Sequence, residues 1–489
     1  FTEFLKNSDE YQNLYNSINK TKSNIQIQTI DESVAFLCSS IASDYQRPTL
    51  IICPSAFHAI NLQENLSAWT SSNILRFPEV ENLPYERIIS DKETSMSRIE
   101  TITKITNSNH FPLVVSSISA ICQQTIESST LILSSKELMK NQKITMEELT
   151  RFLQQTGYEF ESTVTDQGTF SRRGGILDIF PVGSDNPYRI EFWGNEIDSI
   201  RSFDLETQRS ISEINEFQLF PANEILPSFL NISNLQNQIS HINLQNCDPE
   251  SSERINNDLN DLLNKESIDD ISLYQGFFSN GSFIDYMPKD SLIILYRPAD
   301  IFNHYWETEE RIRQLKQNKE HNGQIPYNFP ISHQSWNEIE KQIATKNHKI
   351  EIMPWGSETL LNKDIHIMPF SSASAYNGDL NLLSMEIKNF NQDKNTTVIY
   401  TSHHTRLTET LDSIIPKRFV ISSDSNQIGS GFVLNTKNSK LMILSDSEIF
   451  GITKQKRGIR KKSIKRQAFF NEISIGDYVV HVEHGIAKF

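Results

Sequence analysis

The residues best suited to molecular recognition lie on one short strand-like run. From Tyr188 to Trp193 the chain reads YRIEFW, and a period of two puts Tyr188, Ile190 and Phe192 on one face and Arg189, Glu191 and Trp193 on the other. The first face is a core; the second combines a guanidinium, a carboxylate and an indole. Arginine and tryptophan are enriched at the energetic centres of protein interfaces, where the planar guanidinium pairs bidentately with a carboxylate and the indole supplies an apolar plate. The same pattern also fits a tryptophan covered by a helix or loop of its own domain.

Catalytic chemistry has less support. His403-His404 could serve a metal or a proton, but adjacent residues point in different directions and no carboxylate lies nearby, so none is expected there. Cys38, Cys53, Cys122 and Cys247 are scattered, and the first three sit in apolar context; free thiols are expected rather than disulfides or zinc. A phosphate loop needs glycines, a lysine and a Ser or Thr, and the dipeptide Gly-Lys occurs nowhere in the chain. Lys454, Lys456, Arg457, Arg460, Lys461, Lys462, Lys465 and Arg466 form a run without an acidic residue. Their mutual repulsion favours an extended linker, and each could release a counterion from a DNA backbone.

The elements that must position the recognition residues are legible locally. Ile176–Phe180 and Tyr188–Trp193 read as strands about the turn residues Gly183-Ser184-Asp185-Asn186-Pro187. Thr145 and Glu148 form a capping box opening a helix with Leu149, Phe152 and Leu153 inward and Gly157 at its end. Upstream, Val34, Leu37, Cys38, Ile41 and Tyr45 mark a helical face, Thr49–Cys53 and Pro112–Ser116 read as buried strands, and Ser55 is an N-cap. Alternation of helix and strand predicts a parallel sheet covered by helices.

The chain has 489 residues, enough for roughly three or four domains. Its net charge of −15 argues against a uniform nucleic-acid-binding surface. No apolar run is long enough to span a bilayer and the first residues lack a signal-peptide pattern, so a cytoplasmic chain with no membrane partner is expected. Ile365–Pro369, Thr397–Tyr400 and Leu441–Leu444 read as strands of a small α/β unit, with helices over Leu380–Phe390 and Arg406–Ile415. Near Tyr305–Gln317 a helix places Arg311, Arg313 and Lys316 on a solvated face.

The string RRGGILDIFPVGS, followed by PYRIEFWGNEIDSIR and FDLETQRS, resembles the second domain of the bacterial transcription-repair coupling factors, the Mfd family, which the excision helicase subunit UvrB shares. That resemblance implies an α/β chain with a degenerate RecA- or UvrB-like parallel-sheet domain at 1–118 and an inserted strand-rich α+β domain at 119–211 that docks UvrA. It further implies a return to the first domain over 212–330, a small α/β domain at 331–452, a basic linker at 453–472, and the start of a β-rich RNA polymerase interaction domain at 473–489. UvrA contacts carry over to Arg173, Arg189 and Trp193, the last standing where the family usually has phenylalanine. Gln28–Ser33 occupies the place of UvrB's phosphate loop, and Tyr296-Arg297 follows the strand where a magnesium-binding carboxylate would be needed. The resemblance therefore implies a catalytically silent adaptor with no cofactor of its own. ATP and magnesium belong to the motor of the complete protein, an ATP-dependent DNA translocase that acts on double-stranded DNA and RNA polymerase in nucleotide excision repair. An active UvrB-type helicase and a spacer without UvrA affinity are the alternatives.

Overall fold

The computed structural model describes residues 2–20, 23–70, 72–80, 83–85, 92–107, 112–266, 268, 271–278, 281–355, 365–391, 395–404, 407, 419–422, 428–451, 478–481 and 485–488. Ser23–Thr29 (β1), Thr49–Cys53 (β2), Ile74–Phe77 (β3) and Leu113–Ser117 (β4) begin a parallel sheet. The continuous apolar run of β2 is explained by helices on both sides. Leu50 and Ile52 pack with Ile99, Ile102 and Ile301, whereas Ile51 and Cys53 pack with Leu37, Ile41 and Leu62. Ser55 caps the Ala56–Ser67 helix, its side chain accepting from the His58 N–H.

Beyond β4 the chain leaves this sheet to build a second one. Lys136–Met139 (β5) precedes the Met146–Gln155 helix, which the Thr145–Glu148 capping box opens. Glu159–Phe160 (β6), Thr169–Arg173 (β7), Ile176–Phe180 (β8), Tyr188–Trp193 (β9), Glu196–Phe203 (β10) and Ser210–Ile214 (β11) follow. They form a six-stranded sheet in the order β11-β10-β9-β8-β7-β6, antiparallel except between β6 and β7. Leu149 and Leu153 of the capped helix share a core with Phe170, Leu177, Ile190 and Ile200 of this sheet. Glu216–Leu219 (β12) pairs with β5 and closes the excursion.

At the point of return, a buried ion pair between Arg98 and Glu224 joins the two sheets' territories. The Arg98 guanidinium lies 4.1 Å from the Phe77 ring centroid, and the Thr125 hydroxyl donates to Glu224 at 2.7 Å. Leu292–Tyr296 (β13), His348–Pro354 (β14) and Ile365–Ile367 (β15) then complete the first sheet, a seven-stranded one in the order β15-β1-β14-β13-β2-β4-β3 with every pair parallel. The chain is α/β, with strand-rich structure inserted between the two halves of a parallel sheet.

The strand at Ile365–Ile367 corrects a boundary expectation. Its sequence reads as part of a small unit beginning at 331, yet β14 and β15 both hydrogen-bond to β1. Ile350 and Ile352 of β14 enter the same core as Ile27, so the larger sheet extends through residue 367. The smaller five-stranded sheet comprises Phe370–Ser372 (β16), Thr396–Tyr400 (β17), Phe419–Ser422 (β18), Phe432–Asn435 (β19) and Lys440–Ser445 (β20), in the order β16-β19-β20-β17-β18. Phe36 of the first unit reaches Phe432 at 5.5 Å and Phe370 at 6.2 Å, so the two units share a core.

Tyr478–His481 (β21) and Gly485–Lys488 (β22) pair antiparallel. The basic run from Lys454 to Arg466, and the helix expected over Arg406–Ile415 apart from Leu407, lie outside the described residues. Among the described residues, no helix is long and apolar enough to cross a membrane.

Candidate docking face

Strand register determines what the second sheet shows to solvent. Directly paired residues point the same way, so Ser171, Asp178, Arg189 and Arg201 form one row across β7, β8, β9 and β10. Arg173, Ile176 and Glu191 form the next row. Leu177, Ile190 and Ile200, one residue out of step, enter the core on the opposite side. Trp193 continues the outer face beyond Glu191 and is 83% exposed.

Arg173 and Trp193 stand at the same end of the sheet. The Phe192 N–H donates to the Gly175 carbonyl at 2.9 Å, which brings the β7–β8 turn beside the end of β9. Gly174 sustains that turn at φ +60°, a region costly for residues with a Cβ. The exposed Arg173 guanidinium donates through Nη2 to the Ser162 carbonyl at 3.0 Å and the Thr163 hydroxyl at 2.7 Å. Both acceptors hold one edge of the fork, leaving its other donors facing solvent.

Arg189 behaves differently. Its Nε donates to Asp178 Oδ1 at 2.7 Å and its Nη2 to Asp178 Oδ2 at 2.8 Å, a bidentate pair with a buried carboxylate. Nη1 reaches the Gln208 carbonyl at 3.3 Å, and the guanidinium carbon lies 4.7 Å from the Phe203 ring centroid. Hydrogen bonding to Asp178 raises the arginine's already high pKa, outweighing the opposing effect of burial. Phe203 belongs to a small apolar cluster with Val164 and Phe180, which Arg189 roofs. All three residues anticipated for docking thus share the outer face, but Arg189 is engaged within its own domain while Arg173 and Trp193 are open.

Three further outer-face residues, Ile176, Ser199 and Arg201, escape sequence reasoning. Half-buried Ile176 lies between Arg173 and Glu191, and Arg201 donates to Glu191 at 3.3 Å, where Ser199 also donates at 3.0 Å. A register shift between Ile197 and Ser199 turns Ser199 and Arg201 outward. The alternation in β8 could have revealed Ile176; the shift in β10 has no local signature.

The end of β1, where the resemblance puts the place of a phosphate loop, has a different character. Thr29 and Ser33 share a hydroxyl–hydroxyl bond of 2.7 Å, and the next groups are the carboxylates Asp31 and Glu32. Tyr296 donates to Asp31 at 2.9 Å; Arg297 pairs with Asp31 and, at 2.9 Å, with Asp300. A cavity of about 300 Å³ here is lined by residues including Asp31, Glu32, His58, Trp69 and Tyr296. Burial, followed by the positive charge of Arg297, depresses the His58 pKa.

The His403 ring rests edge-on to Phe450, 5.2 Å between centroids. Among the described residues, no group of three or more His, Cys, Asp or Glu is placed to hold a metal ion. The four cysteines are free; burial pushes the Cys38 thiol up to about 12 and raises those of Cys53 and Cys122.

Residues 137–225, which run from β5 past β12, match the UvrB interaction domain. Over 99% of its length the chain is 24% identical to the transcription-repair-coupling factor of Bacillus subtilis (strain 168), covering 43% of that protein. Against the Haemophilus influenzae transcription-repair-coupling factor it is 24% identical over 93% of its length and 41% of the relative's. A shorter alignment, 39% of this chain and 16% of the relative, is 30% identical to the Escherichia coli (strain K12) transcription-repair-coupling factor. The chain spans about two-fifths of the length of the curated relatives that it matches end to end.

Proposed function

We propose, from the premise that this chain is a relative of the transcription-repair coupling factors and carries a UvrB interaction domain, that it serves transcription-coupled nucleotide excision repair as an adaptor docking UvrA. The observation that carries this reading is that Trp193 and Arg173 are both exposed at one end of the matched domain's outer face. An indole left 83% exposed on the same face as an exposed guanidinium has the composition of an interface centre. UvrA is expected to meet it with an apolar recess for the indole and a carboxylate for Arg173.

The parallel-sheet unit acts as a scaffold in this reading. Asp31 and Glu32 stand where a nucleotide's phosphates would need N–H groups and a lysine, and Tyr296-Arg297 stands where a metal would need a carboxylate. The complete protein would supply an ATP-driven translocase on double-stranded DNA and the contacts to RNA polymerase. Lys454–Arg466 would act as a linker able to touch DNA phosphates.

Calorimetric titration of UvrA into the chain, beside an Arg173→Ala/Trp193→Ala variant, tests the docking claim. Binding by the parent and at least a hundredfold weaker binding by the folded variant is expected, since interface anchors of this kind contribute about 2 kcal/mol each. Equal binding by both would move the docking surface elsewhere; no binding by either would favour a spacer.

A further inference from the structure

The inserted sheet stands on one helix of the parallel-sheet unit, Lys92–Asn107, which has two working faces. Toward the parallel sheet, Ile102 and Ile105 share a core with Phe77 and Val114, and the Thr101 hydroxyl donates to the Arg76 carbonyl at 2.8 Å. On the other side Met96, Glu100 and Thr103, spaced i, i+4 and i+7, meet the inserted domain. A helix tied to β3 is thus the seat of the second sheet.

Glycines make the contact. Gly168 precedes β7 and Gly183 follows β8, and the Gly168 N–H donates to the Phe180 carbonyl at 2.8 Å. Both glycines therefore stand at the end of the β7–β8 pair remote from Arg173. A Cβ at Gly168 would come within 3.3 Å of Met96, and one at Gly183, whose φ is +81°, within 2.8 Å of the Thr103 hydroxyl. Thr103 has little room to yield, because it is β-branched, buried and bonded to the Glu100 carbonyl at 2.9 Å. From the same helix Arg98 reaches both Glu224 oxygens where the chain leaves the insert.

Apolar contact across the joint is non-directional and fixes no angle by itself; a close glycine contact and a two-point ion pair do. The angle matters because β7 runs from this seat to Arg173, five residues or about 16 Å. A small tilt at the helix becomes a larger displacement of Arg173 and Trp193. We propose that the contact of Gly168 and Gly183 with Met96 and Thr103, pinned by Arg98–Glu224, is a latch that holds the docking face at one angle to the parallel-sheet unit. What that orientation serves rests on the docking reading, in which a bound partner is presented in one direction.

Double electron–electron resonance between nitroxides on Gln155→Cys and Glu64→Cys, both exposed positions, tests the latch without UvrA. A Cys247→Ser background leaves only buried native thiols. One narrow distance distribution is expected for the parent. Gly183→Ala should broaden or displace it, and adding Thr103→Ala, which leaves the nearest atom 3.8 Å from the new methyl, should restore it. Arg98→Lys, which keeps the charge but loses the two-point pairing, should broaden it as well. Gly194→Ala, at φ +62° with nothing within 4 Å, carries a like backbone penalty and should leave it unchanged. A broad parent distribution, an unchanged one in Gly183→Ala or Arg98→Lys, an equal effect of Gly194→Ala, or no restoration by Thr103→Ala would overturn the proposal. Because no UvrA enters the measurement, the latch can fail without the docking reading failing.

Discussion

Arg189 and Asp178 form a bidentate ion pair across adjacent strands, at 2.7 and 2.8 Å, beneath the outer face of the UvrB interaction domain. The pair turns an arginine with the sequence signature of a contact residue into one that shapes the surface. It ties β8 to β9, roofs Phe203, and holds the Gln208 carbonyl.

Arg189→Ala should therefore destabilise the domain. The surviving carboxylate would be buried without a partner, a loss that reaches about 3 to 5 kcal/mol for fully buried pairs and should be nearer 2 kcal/mol here because Arg189 is partly open to water. Denaturant unfolding followed by far-ultraviolet dichroism would measure it. Arg189→Lys should recover only part, since an ammonium cannot engage both carboxylate oxygens in the same plane.

Arg173→Ala and Trp193→Ala should behave in the opposite way. Both side chains are exposed, so each change should alter stability by less than about 0.5 kcal/mol while weakening UvrA binding about tenfold or more. A loss of several degrees in melting temperature for either variant would mean that the side chain is structural.

Arg98→Ala should be among the most damaging single changes in the chain. Arg98 and Glu224 are both buried, and removal of one partner should cost about 3 to 5 kcal/mol. Because Glu224 also accepts from Thr125, the loss would free the returning chain from the parallel-sheet unit. Limited proteolysis should then cleave near residues 221–226 in the variant and not in the parent.

Magnesium-ATP at millimolar concentration should leave the melting temperature unchanged. A ligand stabilises a fold only by binding the native state, and Gln28–Ser33 has no lysine to meet phosphate charge. A clear rise with ATP, or measurable ATP turnover, would revive the helicase alternative.

Acid should weaken the parallel-sheet unit through His58 and His348. Both have pKa values depressed below the ordinary 6.5, chiefly by burial and then by Arg297 and Arg47 respectively. The unfolded chain therefore binds these protons first as pH falls. Their contribution is complete above about pH 7 and is lost progressively as pH falls through 6.5 toward the lowered folded-state values. His58→Gln and His348→Gln should each flatten the stability profile as pH falls through the ordinary histidine value of about 6.5, measured by urea midpoints.

Much of this protein was legible because the relevant signals are local. The alternation in Tyr188–Trp193 places Trp193 opposite Ile190 whatever the rest of the chain does, since successive strand side chains point to opposite faces. Thr145 and Glu148 reach each other across one helical turn, and a chain without Gly-Lys lacks the usual phosphate-loop lysine in any fold. The tertiary structure decided which of these groups remain available. Arg189 meets Asp178 only through the β8–β9 register, and a one-residue slip would have separated them. Ile365–Ile367 is an equally good strand for either sheet, and only the parallel edge offered by β1 assigns it to the larger one. Tyr305 and Trp336 become neighbours because the starts of two helices meet on the parallel-sheet unit, a contact between distant segments that neither helix's own periodicity encodes.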